Sequence, residues 1–402
     1  MDKRKSLIFI SFITVVILFC LLIFFKKKVK SEDGRNPDFT PYLVDISRSV
    51  NNVVNPPVST ITKKIEYIPL ETTNESYLDE VVKVELSDSF IFVSDVRKLL
   101  QFDRRGKFIR QIGKSGRGPE EYISVADFSI NDRNEFVYIY SANSDEMLVF
   151  NFRGNYIKSF KFKAQSVQFE SDSLNRFMFH IINLGNQKGI KSYSWLLSDF
   201  EGNIILRIVY SPDLEYKLGR FGNPVTPLYV YKGDFHFMEY GIDTMYYLSN
   251  LVKRPYCIFN FGNLKMDIDI QIKSKEDYSK YEEKLWIYNI LEDQSYLYLT
   301  TISGISPKKI LWIYNKRSRE LMRLKSNGFI DDYFGLAEFW PRSVFNDRVL
   351  VGYIEAYTMY DILKSTDPEF FNNLDKTTVE KLTALKNLIT ETSNPVLIIV
   401  NQ

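Results

Sequence analysis

The chain has 402 residues, with 52 Lys plus Arg against 50 Asp plus Glu, two His, two Cys, 31 Phe and 26 Tyr. An apolar fraction of 45% with 25% charged residues excludes global disorder. So few Cys and His leave no disulfide framework and no zinc site built from those residues alone.

By length alone the chain would hold two or three domains, although all-β folds often run this long as one unit. Its net charge of +2 is unevenly placed. Residues 1–35 carry eight basic side chains (Lys3, Arg4, Lys5, Lys26, Lys27, Lys28, Lys30, Arg35) and three acidic ones (Asp2, Glu32, Asp33), a surplus of +5. The remainder is therefore −3, with 44 basic and 47 acidic residues. A body this close to neutral, without a Lys/Arg run, argues against nucleic-acid binding.

The first element is LIFISFITVVILFCLLIFF, Leu7 to Phe25, flanked by Lys3-Arg4-Lys5 and Lys26-Lys27-Lys28. Nineteen residues at about 1.5 Å each approach the roughly 30 Å of a bilayer core. An uncleaved signal anchor is the favoured reading. A cleaved signal peptide would have a shorter apolar stretch and a small-residue cleavage site. A lipoprotein would need a small residue before its Cys, whereas Phe19 precedes Cys20. A buried core helix sits poorly with lysines at both ends. Residues 1–30 are thus expected to form a cytoplasmic stub and membrane anchor. Residues 31–62, polar and containing Pro37, Pro41, Pro56 and Pro57, are expected as a linker, in which YLVDIS could pair as an extra strand.

From residue 63 onward the chain repeats itself. LLQFDRRGKFIRQIG, MLVFNFRGNYIKSFKF and WLLSDFEGNIILRIV each read as an alternating strand, a polar turn with a late Gly, and a second alternating strand. Gly106, Gly154 and Gly202 recur every 48 residues, and Gly relieves a positive-φ turn position in a hairpin. A period of this length with four short strands predicts a β-propeller blade. Degenerate copies follow in Thr244 to Gly262, with Leu251 to Pro255 as the turn, and in Ile310 to Leu324, with Lys316 to Arg319. With two upstream strands each, these make five blades between about Tyr77 and Leu324. A sixth is expected from both chain ends: Arg342 to Tyr357 supplies two strands, NPVLIIV the third and KKIEYIPLE the fourth. That closure removes an open sheet edge. The predicted fold is all-β, a six-bladed propeller of four-stranded blades spanning 63–402. Asp267 to Trp286 is expected as a short helical insertion. Thr377 to Ile389 is expected as an amphipathic helix on the rim, with Thr377 and Glu380 at capping-box spacing.

The segments KKIEYIPLETTNESYLDEVVKVEL, LLQFDRRGKFIRQIGKSGRGPEEYISVADFSI and the terminal NPVLIIV after a helix carry a resemblance. Over roughly Val44 to Val400 the chain resembles the six-bladed propellers abundant in Bacteroides-type bacteria, related to NHL-repeat propellers. The resemblance implies a propeller in the envelope, facing away from the cytoplasm, and for most members no established activity. Many relatives look like lipoproteins, a pattern from which the Phe19-Cys20 junction departs.

Gly113 to Pro119 looks like a phosphate loop but lacks the Gly-Lys-Ser/Thr ending at the required spacing and a following helix. It reads as a crossover between blades. Arg117, Glu120, Glu121 and Tyr122 on it are the ligand-contact candidates, because in NHL-like propellers that face often binds ligands; the competing reading is an internal Arg–carboxylate brace. His180 and His236 sit in strand-like alternation, where a lone His is usually structural. Asp127, Glu170, Glu239 and Glu338 lie in or beside inner strands and could reach a central channel, as carboxylates do in calcium-dependent propellers. Phe136, Tyr138, Tyr140, Phe177 and Phe179 read as core between blades. No Ser-His-Asp arrangement with a nucleophile elbow is visible. The expected function is a membrane-tethered module outside the cytoplasm, monomeric and without a cofactor, binding an envelope protein or glycan. The alternative is a calcium-assisted hydrolase or lyase with its site at the central channel.

Overall fold

The computed structural model describes residues 39–118, 120–161, 166–181, 193–209, 226–239, 241–266, 281–303, 308–365 and 374–402. The apolar run 7–25 and most of the expected insertion at 267–286 lie outside these residues. Among the described residues no helix is long and apolar enough to cross a membrane.

The described chain forms six antiparallel sheets arranged as a ring. The first three blades run, from inner to outer strand, through Lys83–Leu86, Phe90–Ser94, Leu99–Asp103 and Phe108–Ile112; Asp127–Asn131, Phe136–Ser141, Glu146–Asn151 and Tyr156–Lys161; and Ser166–Ser171, Phe177–Ile181, Tyr193–Ser198 and Ile204–Val209. The fourth and fifth run through Leu228–Tyr231, Asp234–Met238, Thr244–Ser249 and Val252–Asn260, then Leu285–Glu292, Tyr296–Ser303, Lys308–Asn315 and Glu320–Leu324. Each innermost strand lies beside the next, and that of the sixth blade returns to the first.

The closure is the one expected. Ser343–Phe345 pairs with Val349–Ile354, which pairs with Val396–Asn401, and that strand pairs in turn with Lys64–Pro69, from Val396 opposite Pro69 to Asn401 opposite Lys64. Asn394 locks the seam: its amide donates to the carbonyls of Glu71 and Ser76 (2.9 and 2.8 Å) and its oxygen accepts from Leu78 N at 2.8 Å.

The repeat owes its regularity to the residue that ends or directly follows each third strand. Asp103, Asn151 and Asp199 each accept from the backbone N–H groups two and four residues on, at 2.8–3.0 Å, folding the turn that the glycine completes. At Gly106, φ is +86° and a Cβ would lie 2.2 Å from the Pro69 carbonyl of the closing strand. Where the fourth blade lacks this Gly, Asn250 and Leu251 take the left-handed conformation (φ 50° and 64°) in a two-residue turn. Val252 to Pro255, expected as turn, are therefore strand, because two positive-φ residues already reverse the chain.

Apolar side chains fill the spaces between blades. Phe92 meets Phe152 at 4.9 Å between the first and second, Tyr138 meets Phe177 at 4.8 Å between the second and third, and Trp195 meets Phe237 at 5.4 Å between the third and fourth. Each such side chain contributes roughly 1.5–3 kcal/mol on burial. Tyr138, Tyr140, Phe177 and Phe179 are fully buried, as expected of core aromatics.

Residues 42–62 depart from the linker expectation. Tyr42–Asp45 adds a parallel fifth strand to the outer edge of the fourth blade, and Val53–Val54 does so on the fifth. The reason lies in Val44, Ile46 and Val58, which are buried and tie the segment to the ring. The YLVDIS segment thus pairs as the extra strand. The rim helix spans Lys376–Leu388, but its cap is Asp375 rather than Thr377: Asp375 accepts from Thr378 N at 3.1 Å, and Thr377 is already helical. A helix at Ala356–Ser365, not foreseen, packs Met359 and Leu363 against Leu382, Leu385 and Ile389.

Candidate functional site

The expected contact loop is mostly self-contained. Tyr122 is fully buried; its hydroxyl donates to Ile112 O (3.0 Å) and accepts from Leu99 N (3.3 Å) and Gln111 Nε2 (3.2 Å). Burial pushes that hydroxyl up to about 12. Glu121 accepts from Gly118 N at 2.8 Å, fixing its own loop. Arg117 and Glu120 are exposed, and neither forms an ion pair among the described residues, so no Arg–carboxylate brace is seen there. The loop joins an outermost strand to the next innermost one, and contributes nothing to the lining of the central cavity.

That cavity, about 870 Å³, is lined by the innermost strands of all six blades and by turns at one face, including Asp132, Ser173, Lys232 and Asn346. Seven carboxylates (Glu85, Asp127, Asp132, Glu170, Asp172, Glu292, Asp347) and four basic side chains (Lys83, Arg133, Lys232, Arg342) line it. The wall is therefore net acidic, and a narrow low-dielectric channel focuses that field.

At the centre of the acidic wall, Lys83 Nζ lies 2.9 Å from Glu85 Oε1, 3.2 Å from Asp127 Oδ1 and 2.8 Å from Glu170 Oε1, and donates to Phe128 O at 2.7 Å. The four side chains are only 12–23% exposed. Their other oxygens accept across the blade boundaries: Glu85 from Ile130 N (3.0 Å), Asp127 from Phe169 N (2.9 Å) and Glu170 from the Ser129 hydroxyl (3.2 Å). The first three innermost strands are thereby tied into one polar network. Burial raises Glu170 to about 8; Lys83 opposes this, while Glu85 and Asp127 add to it. Burial alone would depress Lys83, yet Asp127, Glu170 and Glu85 hold its ammonium well above the usual lysine range.

Of the four channel carboxylates read from sequence, Asp127 and Glu170 converge here. Glu239 instead pairs with Lys253 at 2.5 Å, and Glu338 accepts from Asn327 N at 2.9 Å. Both are therefore occupied away from the channel wall, each by a donor closer in sequence. Lys83 itself was missed. Its signal was present in VVKVEL, where Lys83 and Glu85 share one strand face opposite Val84 and Leu86. Among the described residues no group of three His, Cys, Asp or Glu is placed to hold a metal ion. The ammonium of Lys83 stands where three carboxylates converge.

A second buried polar cluster links the fourth and fifth blades. Glu292, fully buried, accepts from the Tyr229 hydroxyl at 2.7 Å and from Tyr256, and pairs with Lys316. Burial raises the Glu292 carboxyl and lowers the Lys316 ammonium. His236 stacks on Tyr229 with centroids 5.2 Å apart, its Nδ1 3.8 Å from Glu292. His180 lies against Trp195 at 4.6 Å, and burial drops it to about 4, so it is neutral at ordinary pH. Both histidines are packed in the blades.

The fold and its axial cavity define a six-bladed β-propeller with an acidic central channel. The chain belongs to the family described as a domain of unknown function, DUF4934, whose model matches residues 41–401. It shares its fold with a protein of Bacteroides fragilis NCTC 9343 described provisionally as an exported protein, at 14% identity and a TM-score of 0.69, over 90% of this chain and 99% of that one. A DUF4221-family member from Bacteroides vulgatus ATCC 8482 aligns at 11% identity and a TM-score of 0.51, over 85% and 97% of the two chains. The sequence is also 26% identical over 192 residues, 44% of the chain, to the endonuclease GajA of Bacillus cereus (strain HuB5-5). The chain spans about a quarter, 27%, of that curated relative's length.

Proposed function

We propose that the protein is a binding or scaffold module, held outside the cytoplasm by the apolar segment 7–25, that takes an envelope protein or glycan at its central channel. The observation that carries this reading is the 870 Å³ cavity to which all six blades contribute lining residues. Cavities of this size bury most of a small ligand, and few polar groups then set its orientation. The Bacteroides fragilis neighbour, described provisionally as exported, is in keeping with an envelope location. The acidic wall disfavours a polyanion such as nucleic acid, so the endonuclease likeness is not carried over. The calcium-assisted alternative would need a cation at the point that the Lys83 ammonium occupies.

The test is a glycan array and an envelope-extract capture with the full chain in detergent, run beside two variants. Asn289→Trp fills the channel; Arg117→Ala with Glu120→Ala strips the opposite loop. Loss of binding only in the channel variant supports the proposal. Loss only in the loop variant would move the site to the face carrying residues 117–122.

A further inference from the structure

We infer that the protein forms a two-fold dimer through the outer edge of its third blade, in place of the single ring expected from the sequence. In it, Ile204–Val209 pairs with the same strand of a second copy. This goes beyond the channel reading and does not depend on it. A sheet edge presents a row of unpaired N–H and C=O groups, which invites another strand unless it is covered or guarded by charge or Pro. On the fourth and fifth blades the chain covers the edge itself, laying Tyr42–Asp45 and Val53–Val54 along the outermost strands.

The outermost strands of the other four blades have no strand on their outer side among the described residues. Three of them show little apolar surface. Phe108–Ile112 and Lys64–Pro69 expose no large apolar side chain, and Tyr156–Lys161 exposes only Ile157. Lys64 and Pro69 guard one of these edges, and Lys158 and Lys161 another. The third blade differs. Ile204, Ile205 and Val209 are 42%, 38% and 52% exposed, and IILRIV holds one Arg, no Lys and no Pro.

A strand that fits this edge must bring two things: an open main-chain edge and apolar side chains to set against Ile204 to Val209. Ile204–Val209 of a second copy brings both. Run antiparallel about a two-fold axis at Leu206, the pair sets Ile204 opposite Ile208 and Ile205 opposite Arg207. An axis at Arg207 would oppose two guanidinium groups, which disfavours that register. The contact is isologous, so it consumes both open edges and assembly stops at two.

The test is sedimentation equilibrium of the full chain in detergent between about 1 and about 100 μM, the range in which small interfaces associate. Amide hydrogen exchange at residues 204–209 is read beside it. The mass is expected to double across the range, and exchange at these amides to slow about tenfold or more as it does. Ile205→Lys with Val209→Lys is expected to leave a monomer at every concentration. Leu43→Lys, on the covered edge of the fourth blade, is expected to leave the dimer unchanged. All three positions are exposed, each variant's thermal transition is recorded, and the exchange of the unaltered chain stands without any variant. A chain that is monomeric throughout would overturn the inference. So would a dimer in which residues 204–209 exchange at the monomer's rate, the result expected if the apolar segment 7–25 alone held the copies together.

Discussion

Lys83 Nζ donates to Glu170 Oε1 at 2.8 Å, although the two residues are 87 positions apart and belong to the first and third blades. Asp127, on the innermost strand of the intervening blade, meets the same ammonium at 3.2 Å. Removing the ammonium would leave three partly buried carboxylates facing one another. Lys83→Met is therefore expected to destabilise the fold by about 2–4 kcal/mol, below the full cost of a buried pair because the side chains retain some solvent contact. Urea denaturation measures this; a change under about 0.5 kcal/mol would show that the network is not a brace.

Glu170 gives the same network a pH signature. Its folded pKa of about 8 lies above the ordinary carboxylate value, so the folded state binds the proton more tightly than the unfolded one. Its contribution is present below the ordinary carboxylate range and is lost as pH rises through about 8. The thermal midpoint should fall between about pH 5 and pH 8, and Glu170→Gln should flatten that fall. An unchanged slope in the variant would remove Glu170 from the account.

His180 acts on the acid side. Its folded pKa of about 4 lies below the usual 6.5, so the unfolded state gains the proton first and stability is lost as pH falls below the ordinary histidine value. At pH 5 that loss amounts to about 2 kcal/mol. His180→Phe should abolish it, as read from urea midpoints at pH 7 and pH 5, whereas an equal acid loss in the variant would assign the effect elsewhere.

The seam of the ring rests on Asn394. Asn394→Ala removes three buried hydrogen bonds to the stretch Glu71–Leu78 and should cost about 2–4 kcal/mol. Proteolysis of the variant should begin at the paired ends near residues 64–78 and 394–402. Cleavage confined to the rim helices would show that the seam is not the weak point.

The fold was legible because it is written in repetition. The Gly106, Gly154 and Gly202 spacing and the mutual fit of KKIEYIPLE with NPVLIIV follow from strand periodicity, which sequence displays directly. The rim strands Tyr42–Asp45 and Val53–Val54 were harder to see, because a single parallel strand on a blade edge carries no alternation of its own. The helix Ala356–Ser365 hid behind strand-like apolar residues. Asp127 and Glu170 were recognisable as channel-facing carboxylates, but their partner was not. Convergence of Lys83 with residues 44 and 87 positions away is a property of ring closure, and no local pattern encodes it. Glu239 and Glu338 looked equivalent in sequence and differ only in which donor each meets.

The most direct test of the channel as the binding site is a side-by-side titration of the tightest array ligand against the unaltered chain, Asn289→Trp and the Arg117→Ala/Glu120→Ala pair. The account predicts that filling the channel abolishes binding while the loop variant keeps the affinity of the unaltered chain. Undiminished binding by Asn289→Trp, with its thermal transition intact, would contradict it.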